Sequence, residues 1–343
     1  MNGVLFLSAC EEDGSLGNPA LESLGVACRL AADLGTWLEV GLFGACVEPG
    51  ASQTADSGAR RFLAVSGAAF GQSRYVTDAA AAEVICRVSG AMLVIAPCTF
   101  RLQRCLPGVA YRLGGRADTH VTSVGVSDGM VIAQRWYYRQ RIEATFTRVH
   151  RPWIILVDPG AVPAWSGTSR PVQVEFLRVE LPESAIRTDV KGVREPETNL
   201  KTIRPDADLL FVAGAGWTKK QIDGKTHVAE AEQLILEFLN LTKCSLGSSK
   251  SLVELGSEGQ AVLSFLSHLN QIGQTGSTPR HRKGLATCCH GEEPHTIGWR
   301  FINERRAINV DPQCGWARGK ADVLYVADAF AVMKRVNELL REG

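Results

Sequence analysis

The N-terminal half of the chain alternates short apolar runs with longer amphipathic stretches. Residues 4–9, 37–43 and 92–96 are apolar runs of the length that buried strands have. Asn18-Pro19 predicts an N-cap and first-turn proline for a helix that Gly35 ends, and the Ala-rich stretch 77–88 predicts a second helix. Strands and helices alternating at this interval favour a parallel sheet that is covered on both faces.

From residue 121 the pattern changes to short β-rich runs, at 121–126, 130–136, 144–149 and 153–157. Turn residues such as Ser127-Asp128-Gly129 separate them, which predicts an antiparallel extension that closes a first domain. Residues 159–205 carry prolines and mixed charges without sustained periodicity, so we expect a linker there, with one strand at 172–179.

A second alternation begins at residue 208. The run 208–214 is a buried-strand pattern that leads into glycines, and an amphipathic helix is predicted at 228–241. Strands are predicted at 307–310 and 323–327, and a closing amphipathic helix at 329–340. The pattern therefore predicts an α/β protein with a first domain at 1–165, a linker at 166–205 and a second domain at 206–343.

Composition narrows the class of protein. The 343 residues carry a formal net charge of +1, which indicates no general attraction to nucleic acid or to an anionic membrane. The ten cysteines contain no C-x-x-C pair. From the opening residues we expect no secretory or mitochondrial leader. No apolar stretch approaches the ~20 residues that span a bilayer. We therefore expect a cytoplasmic protein with free thiols and no stable membrane insertion.

The glycine-rich segment Gly273-Gln274-Thr275-Gly276-Ser277-Thr278 is the strongest local candidate for a ligand site. Its glycines allow a tight bend and a close approach of the backbone to a ligand, and backbone N–H groups in such a loop suit a phosphate or a flavin ring edge. By itself the segment is also typical of an ordinary turn.

Several further segments accompany this loop in a fixed order. They are Val212-Ala213-Gly214-Ala215-Gly216, Leu246-Gly247-Ser248-Ser249-Lys250, Gly256, Gln271-Ile272-Gly273-Gln274-Thr275-Gly276, Gly291 with His295, Ala307-Ile308-Asn309-Val310-Asp311-Pro312, and Asp322 with the terminal helix. In this order and spacing the chain resembles the electron-transfer flavoprotein α-subunits (the ETF-α/FixB family). The N-terminal half resembles the family only in its general sequence pattern and not in specific motifs.

The resemblance implies a nucleotide-hydrolase-like α/β first domain and a doubly wound, parallel-sheet second domain that binds one FAD. It implies that Thr275 lies near the flavin N5/O4 edge, that Gln274 and its neighbours hold the ring, and that His295 lies by O2. It places Ser249 and Lys250 by the pyrophosphate and ring face, and Asn309 and Asp322 by the adenosine. The implied cofactor-binding set is Ser249, Lys250, Gly273, Gln274, Thr275, Gly276, His290, Gly291, His295, Asn309 and Asp322.

Other interpretations of these residues remain open. His295 could be a surface residue, Asn309 could belong to a strand-end turn, and Lys250 could be a solvated loop lysine. Cys288-Cys289 invites a redox role, but adjacent cysteines rarely form an unstrained disulfide, so small buried residues are the favoured interpretation. The histidines at 281, 290 and 295 lack metal-site spacing, and we assign no metal.

The chain also departs from the family. Ala215 and Lys250 replace arginines, and lysine lacks the planar guanidinium that stacks on a ring. His290 replaces a serine and Pro294 a glutamine, and about eight residues are inserted within 257–270, where the apolar spacing suggests an added helical turn or two. These differences bear on semiquinone stabilisation and redox potential more than on FAD binding. They point to a specialised, divergent paralogue that serves a particular dehydrogenase.

The resemblance implies an electron carrier rather than an enzyme. Its partners would be an ETF β-subunit in a heterodimer, a flavoprotein dehydrogenase as donor, and an ETF-quinone oxidoreductase as acceptor. Two alternatives remain. One is a flavin-free regulatory or assembly paralogue, which a yellow complex would exclude. The other is a subunit of a bifurcating flavin oxidoreductase, which NADH-dependent reduction would favour. A G-x-G-x-x-G fingerprint is absent from the sequence, which argues against a nicotinamide site in this chain.

Overall fold

The computed structural model describes residues 3–137, 142–191, 203–204, 207–254, 261–273, 280–289 and 302–342. The chain divides into two compact units, Met1–Val193 and Arg194–Gly343. Each unit is a sheet with helices packed against it, so the predicted two-domain α/β class is confirmed. Across the described residues, no helix combines the length and apolar character that crossing a bilayer requires.

The first unit is organised around one sheet. Its strands are β1 (Val4–Ala9), β2 (Leu38–Gly44), β3 (Arg61–Ser66), β4 (Leu93–Pro97), β5 (Arg116–Ser127), β6 (Met130–Tyr137), β7 (Ile142–Phe146), β8 (Trp153–Val157) and β9 (Glu175–Phe176). Among the described residues they lie in the order β7-β6-β5-β8-β4-β1-β2-β3-β9. In the part of this order that runs β5-β8-β4-β1-β2-β3-β9, every pair of neighbouring strands is parallel. β6 pairs antiparallel with β5, and β7 pairs antiparallel with β6.

Helices cover both faces of this sheet. They are α1 (Asn18–Asp33), α2 (Glu48–Gln53), α3 (Ala68–Gly71), α4 (Tyr75–Ser89) and α5 (Phe100–Arg112). Alternate residues of β1 point into different cores: Val4 and Phe6 pack with α1, whereas Leu5 and Leu7 pack with α4 and α5. Both cores exclude water, which is why β1 reads as an uninterrupted apolar run rather than an alternating one.

Three local predictions for the first unit were wrong in detail. Gly17, not Asn18, is the N-cap of α1, and the Asn18 amide instead donates to Glu22 Oε1 at 3.3 Å. The run 153–157 was expected in the antiparallel extension, but β8 lies between β4 and β5 and is parallel to both. The strand β3 and the helix α5 were not predicted, because their sequences mix arginines with apolar residues.

The first part of the segment predicted as a linker packs on this unit. The strand β9 pairs with β3, and Leu177 donates its backbone N–H to the Ala64 carbonyl at 2.7 Å. Further along, Ala185 is buried. A strand was predicted within 172–179, and the structure has a two-residue strand in that interval.

The second unit contains a parallel sheet. Its strands are β10 (Leu209–Ala213), β11 (Ser245–Ser248), β12 (His281–Thr287), β13 (Ile302–Asn309) and β14 (Val323–Val326). Its helices are α6 (Val228–Thr242), α7 (Lys250–Glu254), α8 (Gly315–Lys320) and α9 (Ala329–Glu342). Within the described part of the chain the strand order is β11-β10-β12-β13-β14, with every pair parallel. α6 and α9 pack on one face and α8 on the other, which is a doubly wound arrangement.

The basic run at 280–283 lies at the start of β12. His281 is buried there, with its ring nitrogen Nε2 2.8 Å from the Arg204 carbonyl, whereas Arg282 and Lys283 are exposed. A helical turn was predicted within the insertion at 257–270, and the described residues 261–270 contain the 3-10 turn His268–Asn270, where Leu269 is exposed.

Candidate functional site

The connections of the second sheet define where a ligand would lie. From β10 the chain crosses through α6 to β11 on one side, and from β11 it returns to β12 on the other side of β10. In open parallel sheets, ligands bind beyond the carboxyl ends of the strands, at the point where the direction of winding reverses. Here that point lies between the ends of β10 and β12, and we call it the switch-point site, comprising Gly214–Gly216 and Cys288–Cys289.

The two strand ends approach each other very closely at Gly214. A Cβ atom on Gly214 would lie only 2.2 Å from the carbonyl oxygen of Cys288. The backbone N–H of Gly214 donates to Thr287 O at 2.8 Å, and that of Gly216 donates to Cys288 O at 3.1 Å. Glycine is therefore required at position 214 for a steric reason, because only hydrogen fits between the two backbones.

A buried hydrogen-bond chain fixes the base of the switch-point site. Trp217 is fully buried, and its Nε1–H donates to Thr287 Oγ1 at 2.8 Å. Thr287 in turn donates from Oγ1 to the carbonyl of Val212 at 3.0 Å. The Trp217 ring also packs on Phe330, with 4.7 Å between the ring centroids. These contacts join the ends of β10 and β12 to α9.

The end of β11 brings two of the predicted residues into the same region. Ser249 is buried, donates its backbone N–H to Ala213 O at 2.9 Å, and accepts the N–H of Leu252 on its hydroxyl at 3.3 Å. Ile272 donates to Ser248 O at 3.2 Å, so the segment that leads to Gly273 lies beside the same strand end. Gly273 has φ +76°, a conformation that favours glycine.

Lys250 follows Ser249 at the first position of α7. Its ammonium lies 3.2 Å from Glu254 Oε1, and 44% of the side chain is exposed. The positive charge predicted to face a ring is therefore held at the surface in an ion pair with a residue of its own helix. A half-exposed pair of this kind contributes little stability, so the lysine can exchange partners at low cost.

Asn309 ends β13 and organises two loops at the same edge of the sheet. Its side-chain amide donates to Cys289 O at 2.9 Å, and its Oδ1 accepts the N–H of Asp311 at 2.9 Å. Only 4% of Asn309 is exposed. The strand-end turn considered from the sequence is present, and it lies at the carboxyl edge where the predicted site is expected.

The structure does not bring Asp322 to this edge. Asp322 precedes β14 and pairs with Arg305, whose guanidinium lies 2.9 Å from Asp322 Oδ1 and whose backbone N–H donates to Oδ2 at 2.7 Å. Four residues of strand separate it from Val326 at the carboxyl end, about 13 Å at the rise of a β-strand. Its described role is to hold the amino end of β14 against β13.

A different carboxylate, Asp328, lies at the carboxyl edge and was missed from the sequence. Ala327 donates its N–H to Asn309 O at 3.2 Å, so Asp328 follows directly beside Asn309. Asp328 caps α9 by accepting the N–H groups of Phe330 at 3.2 Å and Ala331 at 3.4 Å. The signal available in the sequence was an aspartate between a strand and a helix, which is the ordinary position of an N-cap.

The vicinal cysteines are part of the turn rather than a reactive pair. Burial, with a smaller contribution from the Asp328 charge, raises the pKa of the Cys288 thiol to about 12. A thiol with that pKa is protonated at neutral pH and is a poor nucleophile. Cys288 has φ +57°, and Cys289 is buried. All ten cysteines of the chain are free thiols in the structure.

Six of the predicted site residues lie outside the described residues. They are Gln274, Thr275, Gly276, His290, Gly291 and His295. Their roles remain predictions.

Two polar groups at this edge suit a nucleotide: the Asp328 carboxylate, which is an acceptor, and the hydroxyl of Ser248. The Asn309 amide already binds Cys289 O and the Asp311 N–H, so its role is to fix the neighbouring loops. The hydroxyl of Ser248 is buried, and it has no hydrogen-bond partner among the residues that the structure describes. A buried polar atom of this kind is costly unless a further group completes its hydrogen bonding.

The fold thus defines a two-unit α/β protein whose second unit is doubly wound, with polar side chains at the carboxyl edge of its sheet. The electron transfer flavoprotein domain model matches residues 4–184 of the chain. This match covers more than half of the chain, and the chain belongs to the electron transfer flavoprotein family. The match falls in the N-terminal half, which resembled the family in its general pattern and not in specific motifs.

Curated relatives extend the similarity over both units. The chain is 28% identical to Protein FixB of Clostridium saccharobutylicum, over 98% of this chain and 94% of the relative. It is 25% identical to the electron transfer flavoprotein subunit alpha of Clostridium acetobutylicum, over 98% and 95% of the two chains. The corresponding subunit of Thermoanaerobacterium thermosaccharolyticum is 24% identical, over 98% of each chain. The predicted family is confirmed, and with it a role in electron transfer.

Proposed function

We propose that this chain is the α-subunit of an electron carrier that binds FAD at the switch-point site. In this proposal it pairs with a β-subunit and carries electrons from a flavoprotein dehydrogenase to a quinone oxidoreductase. The observation that supports it most is the convergence of Gly214, Ser249, Gly273, Asn309 and Asp328 on one carboxyl edge of a doubly wound sheet.

The described residues would hold the nucleotide part of the cofactor. The close contact at Gly214 brings the ends of β10 and β12 together at the switch point, where a pyrophosphate is accommodated in doubly wound sheets. The Asp328 carboxylate is an acceptor that suits ribose hydroxyl groups. Asn309 would act by fixing the loops after β12 and β13, since both of its amide groups already bind backbone.

The isoalloxazine ring would lie toward the loop that begins at Gly273. When bound, FAD supplies the redox chemistry, and the protein supplies orientation, charge and exclusion of water. Lys250 follows the end of β11, beside which the segment leading to Gly273 lies, and its half-exposed ion pair with Glu254 can be exchanged. We infer that Gln274, Thr275 and His295 contact the ring as the family resemblance implies.

The proposal agrees with the side chains that the structure describes at the carboxyl edge of the second sheet. The described groups there are an amide, a protonated thiol, hydroxyls and a carboxylate that caps a helix. An electron carrier makes and breaks no bond in a substrate, so it needs no nucleophile with an activating base. Position and electrostatic environment are sufficient for its task.

The experiment is electron transfer with purified components. The chain is co-expressed with the β-subunit encoded beside it, and reduction of the bound flavin is followed when a flavoprotein dehydrogenase and its substrate are added. We expect reduction by the dehydrogenase and reoxidation by a quinone oxidoreductase. Reduction by NADH without any dehydrogenase would instead support a bifurcating oxidoreductase, and a complex that takes up no flavin would support the regulatory paralogue.

A further inference from the structure

A second cluster of chemically active side chains lies in the first unit, at the carboxyl edge of its sheet. Cys98 directly follows β4, Asp158 directly follows β8, and His120 lies within β5. These three strands are neighbours in the order β5-β8-β4. One sulfur, one ring nitrogen and one carboxylate oxygen from the three side chains all lie within 4.8 Å of one another. We call these residues the Cys–His–Asp cluster.

The position of the cluster is one at which parallel sheets bind ligands. In the first unit the chain winds from β1 to β2 and β3, and then crosses to β4 on the opposite side of β1. The winding therefore reverses between β1 and β4, and Cys98 is the first residue after β4. The cluster lies next to this second switch point, in a unit separate from the proposed FAD site.

The backbone of β5 departs from regular pairing in order to place His120. The pairing between β5 and β8 shifts between Asp118 and Val121, so that His120 is an extra residue at a bulge. His120 has φ +56°, which is uncommon for a residue other than glycine. Bulges redirect side chains and are enriched next to functional sites. Residues other than glycine that have a positive φ are also enriched at such sites.

Hydrogen bonds hold the three residues close to one another. The His120 ring nitrogen Nδ1 lies 2.9 Å from Asp158 Oδ1, and the backbone N–H of His120 points at Cys98 Sγ at 3.4 Å. Cys98 is 5% exposed, whereas the His120 side chain is 54% exposed and that of Asp158 is 17% exposed. The thiol therefore forms the floor of the cluster, and the imidazole and carboxylate form a side that opens to solvent.

We propose that Cys98, His120 and Asp158 form a three-ligand site for a zinc-class divalent cation. A thiolate with an imidazole selects Zn²⁺ or Co²⁺ over Mg²⁺ and Ca²⁺, which prefer oxygen ligands. Three protein ligands leave a fourth tetrahedral position, which in zinc sites holds water or an external anion. The half-exposed imidazole provides the path by which the ion reaches the buried sulfur.

The distances are close to those that the cation requires. Tetrahedral bonds of about 2.3 Å to sulfur and about 2.0–2.1 Å to nitrogen and oxygen place the ligand atoms roughly 3.3–3.6 Å apart. The largest separation in the cluster is at most 4.8 Å, so binding requires a closure of about an ångström. The Nδ1 to Oδ1 distance of 2.9 Å would lengthen slightly as both atoms turn toward the ion.

This site could not be predicted from the sequence. Its ligands are 22 and 38 positions apart along the chain, as their numbers show, and each comes from a different strand. Metal motifs are recognised from close spacing on one helix or one loop. Only the strand order, with β8 inserted between β4 and β5, brings the three residues together.

The test is Co²⁺ binding by the full chain in complex with its β-subunit, after treatment with a chelator and under reducing conditions. We expect one Co²⁺ per α-chain, a thiolate-to-cobalt charge-transfer band in the near ultraviolet, and competition by Zn²⁺. Cys98→Ser should abolish that band. His120→Asn and Asp158→Asn should each weaken Co²⁺ binding by about tenfold or more. Asparagine is chosen at position 120 because it tolerates positive φ.

Two matched controls separate the cluster from incidental binding. Cys46→Ser removes a partly exposed thiol elsewhere in the first unit. His227→Asn removes a histidine whose Nε2 lies 2.8 Å from Asp223 Oδ2, a comparable His–carboxylate pair. Both variants should retain the cobalt band. Flavin content is measured in every sample, because it reports on the other unit.

The proposal is overturned if wild type shows no charge-transfer band or if Cys98→Ser retains it. It is also overturned if Cys46→Ser loses the band to the same extent. Circular dichroism identifies a variant that fails to fold. Should Cys98→Ser be such a variant, the His120→Asn protein decides, since an unchanged cobalt affinity in it excludes the imidazole as a ligand.

Discussion

The close contact between the ends of β10 and β12 can be disrupted with one methyl group. In Gly214→Ala the new Cβ would lie 2.2 Å from Cys288 O, whereas ordinary van der Waals contact begins at 3.4 Å, so the strand ends must separate by about 1.2 Å. The backbone of Gly214 is extended, with φ −96° and ψ 168°, so alanine is not strained by its own conformation. The cost is therefore one of overpacking, typically about 1–3 kcal/mol.

The assay pairs thermal unfolding with flavin content. For a chain of this size, each kcal/mol corresponds to about 2–4 °C in Tm. We expect Gly214→Ala to lower Tm accordingly and to release FAD from a complex that remains folded at 25 °C. The matched control is Gly319→Ala in α8, where an added Cβ meets nothing within 4 Å. Helix propensity predicts a gain of about 0.5–1 kcal/mol there, with FAD retained. Unchanged Tm and unchanged flavin in Gly214→Ala would refute the steric reasoning.

Three further substitutions test neighbouring contacts. Thr287→Val should cost about 1–3 kcal/mol in chemical denaturation, because the buried Trp217 N–H loses its acceptor, and Thr287→Ser should restore most of it. Asp322→Asn should cost less than about 1 kcal/mol and leave FAD bound. The Arg305 hydrogen bond lowers the pKa of Asp322, so this difference should vanish as pH falls through that pKa. Asp328→Asn retains a residue that can cap α9, so we expect an unchanged Tm. FAD binding, measured by titration, should weaken roughly tenfold. An unchanged FAD affinity would exclude the Asp328 carboxylate as a ligand of FAD.

The clearest apolar runs predicted the type of element and in one case its exact bounds. They did not predict which strands are neighbours in the sheet. The run 153–157 was predicted as a strand and is β8 with those same limits. Its place between β4 and β5 was missed, because an apolar run shows that a strand is buried without showing which strands flank it. That missing information also concealed the Cys–His–Asp cluster.

Polar strands were the other source of error. β12 begins with His281-Arg282-Lys283, which looks like a solvated basic run, yet His281 is buried while Arg282 and Lys283 are exposed. Such a strand is held by its neighbours β10 and β13 rather than by its own hydrophobicity. Tertiary pairing of this kind leaves little trace in a single sequence.

The candidate site could be located from the sequence in part. Ser249 and Asn309, which the family resemblance assigned to the cofactor, lie at the carboxyl edge of the second sheet, where Ser249 follows β11 and Asn309 ends β13. Asp322 was assigned from the same resemblance, whereas Asp328 was not considered, although the helix predicted at 329–340 places it directly before a helix. Positions at the two ends of one short strand differ little in pattern and greatly in location.

The most direct test of the central claim is the flavin stoichiometry of the purified complex. The chain is co-expressed with its β-subunit, its visible spectrum is recorded, and the released cofactor is identified and counted. We predict an oxidised-flavin spectrum with FAD bound in the wild-type complex, and FAD lost from Gly214→Ala but not from Gly319→Ala. A colourless complex that fails to take up added FAD would contradict the claim, as would FAD retained equally by both variants.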